Sequence, residues 1–327
     1  MSELRYHPFL DQWVITATHR QDRTFFPPPD YDPLAPTKPG GFPTEIPAEN
    51  YEIVVFENKF PSLRPDPPDP SVAGTELTPV APARGICEVV CYTPELNTEL
   101  ANLPLAKVRE LVYVWADRFD ALSAHDFIKY VFMFENKGRE IGVTLAHPHG
   151  QIYAYPYIPT IPARELAAAR AHFEKTGRDL IGDVLDQEIA DGRRIVAEND
   201  HFVAVVPFFA RYPYEVHVLP RSLRPAISDF NDDEKAALAS IMKVVMEKYN
   251  NLWNRSMPYI MLMHQRPSDG DSGHYNYYRF HVEFYPPYRT PDKLKYLAGS
   301  EAGAGAYIND TLAEVTAKAL RDTLPSG

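Results

Sequence analysis

Two long stretches of this chain lie over one another. EVVCYTPELNTELANLPLAKVRELVYVW, from Glu88, aligns with EVHVLPRSLRPAISDFNDDEKAALASIM, from Glu215, and MFENKG…HPHGQIYAYPY aligns with MLMHQR…YRFHVEFYPP. In the first copy ICEVVCY and YVFMFENKG read as strands, and LAKVRELVYVWADRFDALSA has helical spacing at Val108, Leu111, Val112 and Trp115. In the second, YEVHVLP, YIMLMHQ and YNYYRFHVEFYPP read as strands, and DDEKAALASIMKVVMEKYNNLW as a helix whose acidic first turn suits the helix dipole. A strand–helix–strand unit used twice predicts an α+β fold. Two similar halves, residues 1–161 and 195–327, would share a broad, mainly antiparallel sheet flanked by helices, with a helical connector over 162–194.

Proline shapes much of the rest. Residues 24–48 and the stretch SLRPDPPDPSVAGTELTPVAPARG hold many of the 32 prolines. Proline removes a backbone donor and blocks both helix and central strand, so each stretch is expected as a long ordered loop. Cys87 and Cys91 would share one strand face but lie too far apart for a disulfide, and read as small core residues. The 45% apolar and 24% charged content suits a soluble globular protein. No apolar run is long enough for a bilayer and the opening MSELRYHPFLDQW is not a signal peptide, so no membrane partner and a cytoplasmic location are expected. A net charge of −11 without a Lys/Arg cluster argues against nucleic acid as a partner. A small anionic ligand needs only a few local donors.

The chemistry concentrates in GVTLAHPHGQIYAYPY. In a strand, His147 and His149 project to one face, with Pro148 stiffening the link. Two such imidazoles can hold a metal, supply a nucleophile, or simply pack. Neutral imidazole is a good nucleophile near neutral pH and can attack phosphorus. Gly150 would let the backbone approach a phosphate closely, and Gln151 could donate an amide hydrogen bond to it. His7, His125, His172, His201 and His274 read as surface or capping residues.

FENKGREIGVTLAHPHGQIYAYPY resembles the active-site segment of the galactose-1-phosphate uridylyltransferases, within the histidine-triad superfamily. The likeness extends to RYHPFLDQWVITATHRQDR, VVFENKFPSL, VPFFARYPYEVHVLP and LKYLAGSEAGAGAYIND. The resemblance implies that His149 is the nucleophile that carries a uridylyl group and that Gln151 contacts its phosphoryl oxygens. It implies substrate-binding roles for Arg20, Arg23, Asn58, Asn136, Gly142, Thr144 and His147, with Lys59 replacing an acidic residue often found after Asn58. Lys295, Gly299 and Glu301 match a segment that reaches the partner subunit's hexose phosphate, which implies a homodimer with shared active sites.

Many members of that family bind zinc through two cysteines in the first proline-rich loop, a downstream histidine and the first histidine of the motif. Here Asp32, Ala35 and Leu96 stand at the first three positions, leaving His147 alone. One imidazole and one carboxylate do not close a tetrahedral zinc site, so this site is expected to be empty and the loop to be ordered by proline stiffness and packing. A second family site aligns with Glu165, His264, His281 and Glu283, with Glu283 in place of the last histidine. Histidine and carboxylate together suit a structural zinc or iron, the alternative being a hydrogen-bonded polar cluster between the halves.

The function implied is transfer of UMP from UDP-glucose to galactose 1-phosphate, or another hexose 1-phosphate, by a ping-pong route through a uridylyl-histidine. An ADP-sugar or dinucleotide phosphorylase or adenylyltransferase on the same scaffold is the nearest rival. A catalytically silent nucleotide-binding protein is a rival of another class, and an intact His149 argues against it.

Overall fold

A computed structural model of the chain describes residues 2–22, 28, 31–270 and 275–324. The expected α+β architecture is present. Strands β3 (Val54–Glu57), β5 (Ile86–Cys91), β6 (Tyr130–Lys137), β7 (His149–Tyr155), β8 (Ile195–Glu198), β9 (Phe202–Val205), β10 (Val216–Pro220), β11 (Tyr259–His264) and β12 (His281–Tyr285) form one nine-stranded sheet. Its order is β3-β5-β7-β6-β11-β12-β10-β9-β8, and every neighbouring pair is antiparallel.

The sequence duplication explains that order. Reading outward from the centre, β6, β7 and β5 mirror β11, β12 and β10. The two copies join by pairing β6 with β11, where Met133 faces Met263 across the junction. Helices α1 (Leu105–Ser123) and α4 (Asp232–Leu252), the equivalent helices of the two copies, pack on the same sheet face. Val108, Leu111, Val112, Trp115 and Phe119 recur at helical spacing and are buried there with Leu238, Met242 and Val245. Helix α4 starts at a capping box. Asn231 accepts from the Glu234 amide at 2.9 Å, and Glu234 accepts from the Asn231 amide at 2.9 Å.

Period-two alternation assigns the strand faces. On β7, Gly150, Ile152 and Ala154 are buried toward the helix layer. His149, Gln151, Tyr153 and Tyr155 point to the opposite face. Helices α2 (Thr160–Thr176) and α3 (Leu180–Asp191) cover that opposite face on the other half of the sheet, through Leu166, Ala169 and Leu185. A small three-stranded sheet of β1 (Ser2–His7), β2 (Gln12–Ala17) and β4 (Val80–Pro82) flanks the first half. The chain ends with the two-stranded β13 (Tyr288–Thr290) and β14 (Lys293–Leu294), then α5 (Gly299–Ala304) and α6 (Ala313–Asp322).

Cys87 and Cys91 are free and buried, as expected for core residues. The proline-rich loop is tied down by more than proline. Leu34 and Ile46 are buried, and the Thr37 and Thr44 hydroxyls, 2.8 Å apart, bond to each other and to the Ile46 carbonyl. No helix among the described residues is long and apolar enough to cross a membrane.

Candidate active site and metal centre

Regular strand pairing in the HPHGQ segment begins at His149, opposite Cys91 of β5. His147 precedes the strand, so its ring does not share the face of His149 in the way strict alternation predicts. It is buried instead. Its Nδ1 lies 2.7 Å from Asp32 Oδ2, and its Nε2 lies 2.7 Å from the Thr93 carbonyl and 2.8 Å from the Tyr51 hydroxyl. A carboxylate and a carbonyl only accept, so both ring nitrogens donate. Burial pushes the Asp32 carboxyl up, but the His147 hydrogen bond and charge hold it below its ordinary range.

The backbone carbonyl of His147 then meets His149 Nδ1 at 2.7 Å. That carbonyl also only accepts, so Nδ1 carries the proton and the lone pair sits on Nε2. His149 stands between two clefts, of about 240 and 170 Å³, that share Thr144, Leu145 and His149 in their walls. Asn136 and His147 line the first. Asn58, Lys59, Phe60 and Gln151 line the second. Asn58 Nδ2 donates to Gln151 Oε1 at 3.4 Å, which turns the Gln151 amide hydrogens away from Asn58. Arg20 donates to the Phe60 carbonyl at 3.0 Å and to the Tyr153 hydroxyl at 3.4 Å, beside the second cleft. Gly142 takes a left-handed conformation, φ 85°, at the turn before Thr144.

Other expected residues fall elsewhere. Arg23 and His274 lie outside the described residues. Lys295 and Glu301 line neither cleft. They pair with each other at 3.3 Å, and Gly299 opens the short helix that Glu301 caps by accepting from the Ala298 amide at 3.1 Å. Packing gives a reason for glycine at position 150. A Cβ there would collide with the Tyr92 hydroxyl on the helix side of the sheet and sit 3.2 Å from the Phe134 carbonyl. Sequence reading also passed over Glu135, on the wall of the first cleft and 4% exposed. Burial raises its carboxyl to about 7, with Lys137 opposing.

The family zinc positions do not fit zinc. Ala35 and Leu96 offer no ligand atom, and both nitrogens of His147 are engaged by protein groups. The second set is different. Glu165 of α2, His264 of β11, and His281 and Glu283 of β12 bring one potential ligand atom each within 4.8 Å of all the others. His264 Nδ1 meets Glu165 Oε2 at 2.8 Å, and His281 Nδ1 meets the Arg279 carbonyl at 3.1 Å. His264 Nε2 is buried with no hydrogen-bond partner, 3.5 Å from Glu283 Oε2. An orphaned imidazole nitrogen among carboxylates fits a divalent cation. Without one, burial disfavours the imidazolium, yet Glu165 and Glu283 hold His264 up at about 9, and the histidines keep Glu283 well below its usual range.

Glu215, His217 and Arg211 complete this cluster and were missed. His217 Nε2 lies 2.8 Å from Glu215 Oε1 and 3.2 Å from Glu283 Oε1, and Arg211 lies 3.3 Å from Glu283 Oε2. A signal was present. Glu215-Val216-His217 reads as the reverse of His281-Val282-Glu283, and antiparallel pairing sets His217 opposite Glu283.

A duplicated antiparallel sheet with a His-Pro-His-Gly-Gln segment whose His149 and Gln151 face away from the α1–α4 layer is a uridylyltransferase-type architecture. A solved structure described as a uridylyltransferase superposes with a TM-score of 0.86 at 32% identity, covering 98% of this chain and 97% of the other. Residues 1–159 match the galactose-1-phosphate uridyl transferase N-terminal domain, and residues 165–326 match its C-terminal domain. The galactose-1-phosphate uridylyltransferase of Thermotoga maritima is 43% identical over 99% of both chains. That of Haemophilus influenzae is 32% identical, covering 97% of this chain and 93% of its own. The chain belongs to the galactose-1-phosphate uridyl transferase family. An ADP-glucose phosphorylase from Arabidopsis thaliana, 24% identical with a TM-score of 0.73 over 99% of each chain, shares the fold.

Proposed function

We propose that the protein transfers UMP from UDP-glucose to galactose 1-phosphate through a covalent uridylyl-His149. The observation that carries this reading is the His149 ring at the junction of two clefts, its tautomer set by the 2.7 Å contact to the His147 carbonyl. The Nε2 lone pair attacks the α-phosphorus of UDP-glucose. An N–P bond forms, the P–O bond to glucose 1-phosphate breaks, and that group leaves with the electron pair. Galactose 1-phosphate then attacks the same phosphorus, and His149 leaves. Gln151, Arg20 and Arg23 stabilise phosphoryl charge, while Asn58, Asn136, Gly142, Thr144 and His147 shape the nucleotide site.

The same reading makes the protein a cytoplasmic homodimer in which Lys295, Gly299 and Glu301 serve the partner's hexose phosphate. It divides the chain into halves 1–161 and 195–327 joined by 162–194. Glu165, His264, His281 and Glu283 would hold one structural zinc or iron, which would tie α2 to the sheet centre.

Incubation with UDP-glucose alone, followed by intact-mass measurement, tests the proposal. A gain of one uridylyl group, lost in His149→Ala, is expected. An adduct that persists in His149→Ala would overturn it. Lys59 in the second cleft favours one rival, an adenine-nucleotide phosphorylase with inorganic phosphate as acceptor. An adduct from ADP-glucose and none from UDP-glucose would select that rival.

A further inference from the structure

We propose that Asp32 and Tyr51 are positioning residues for His149. With the Thr93 carbonyl they clamp the His147 ring by hydrogen bonds alone, and the His147 carbonyl in turn fixes the His149 tautomer. This inference rests on the reading of His149 as the uridylyl acceptor.

The clamp gathers four segments that are distant in sequence. The His147 side chain is 0% exposed, and each of its nitrogens is held within 2.8 Å of a partner. The partners are themselves fixed. Asp32 Oδ1 accepts from the Leu34 amide at 3.0 Å. The Tyr51 hydroxyl lies 2.7 Å from the Thr93 carbonyl and 3.1 Å from the Leu34 carbonyl. The Pro148 carbonyl accepts from the Tyr92 amide at 3.2 Å, so the peptide after His147 is pinned as well.

The coupling to chemistry runs through one atom. The His147 carbonyl oxygen receives the His149 Nδ1 proton, and its direction depends on how the His147 backbone is held. If the ring of His147 is released, that carbonyl can rotate. His149 then also populates the tautomer with the proton on Nε2, which has no lone pair there for phosphorus. Asp32 and Tyr51 therefore act on the reaction without touching substrate, as the buried carboxylate of a hydrolase triad does. No ion is needed for this, since every contact in the clamp is an N–H or O–H donated to an oxygen.

Asp32→Asn, Asp32→Glu and Tyr51→Phe test the assignment. Two readouts apply: the rate of adduct formation from UDP-glucose and the nitrogen NMR signals of the His149 ring. Asp32→Asn and Tyr51→Phe are expected to slow adduct formation by about ten- to a hundredfold at saturating donor. The half-saturating donor concentration should change less than about threefold, because neither residue contacts the donor. The ring signals should move from a single Nδ1–H tautomer toward a mixture, and Asp32→Glu should restore part of both. Folded variants with the wild-type rate and a single tautomer would overturn the proposal. Should Asp32→Asn fail to fold, Tyr51→Phe decides, since it removes one oxygen and little volume. The ring signals need no substrate. They decide the positioning role even if UDP-glucose proves to be the wrong donor.

Discussion

His264 and His281 stack across the β11–β12 pairing with ring centroids 4.9 Å apart and an interplanar angle of 16°. Together with Glu165 and Glu283 these rings bring one ligand atom each within 4.8 Å of all the others. A divalent cation fits that donor set, because it takes neutral imidazole nitrogens and carboxylate oxygens together.

The expected consequence is metal-dependent stability. Protein stripped with a chelator should gain a few degrees in thermal midpoint when zinc or iron(II) is supplied well above its dissociation constant. His264→Ala should abolish the response. A response that survives in His264→Ala would place the ion elsewhere.

Glu135 should impose a pH dependence on stability. Its carboxyl, raised by burial to about 7, keeps its proton in the folded protein to higher pH than an ordinary glutamate would. The stability it contributes is therefore fully present below pH of about 4.5, falls as pH rises to about 7, and is flat above. Glu135→Gln removes this slope. Relative to wild type the variant should gain up to about 3 kcal/mol between pH 4.5 and 8 in urea unfolding. Parallel profiles for the two proteins would refute the assignment.

Gly150 is fixed by its contact with Tyr92. Gly150→Ala should destabilise the fold by about 1–3 kcal/mol, as overpacking does. Adding Tyr92→Phe, which removes the clashing hydroxyl, should recover part of the loss. Equal unfolding midpoints for the single and double variants would show that the collision lies elsewhere.

Gln151→Ala should slow transfer about a hundredfold, the usual cost of losing one donor to developing phosphoryl charge. The melting temperature should hardly move, since the Gln151 side chain faces a cleft. An unchanged rate would remove Gln151 from the site.

The sequence showed some of this directly. The duplication predicted the sheet, because each copy carries the same apolar periodicities. The pairs His149/Gln151 and His281/Glu283 were legible because an offset of two always shares a strand face. What stayed hidden depends on contacts across long separations. Asp32 meets His147 over 115 residues, and no local pattern marks Tyr51 as their third member. His147 was set in the strand because alternation cannot say where pairing begins. The packing constraint on Gly150 was hidden because a lone glycine does not reveal which neighbour a side chain would collide with. His217 and Glu215 were readable, as Glu-Val-His set against His-Val-Glu, but only once β10 and β12 are known to be neighbours.

The β6–β11 junction makes the two copies poor candidates for independent reuse. Each is an edge to the other, and separating them would expose a full-length strand with unpaired amides and carbonyls, lined by Met133 on one side and Met263 on the other. A free half would present a template for aggregation, so the two copies are expected to fold as one unit. The second copy holds His281 and Glu283 where the first holds His149 and Gln151, and both keep the strands that join them.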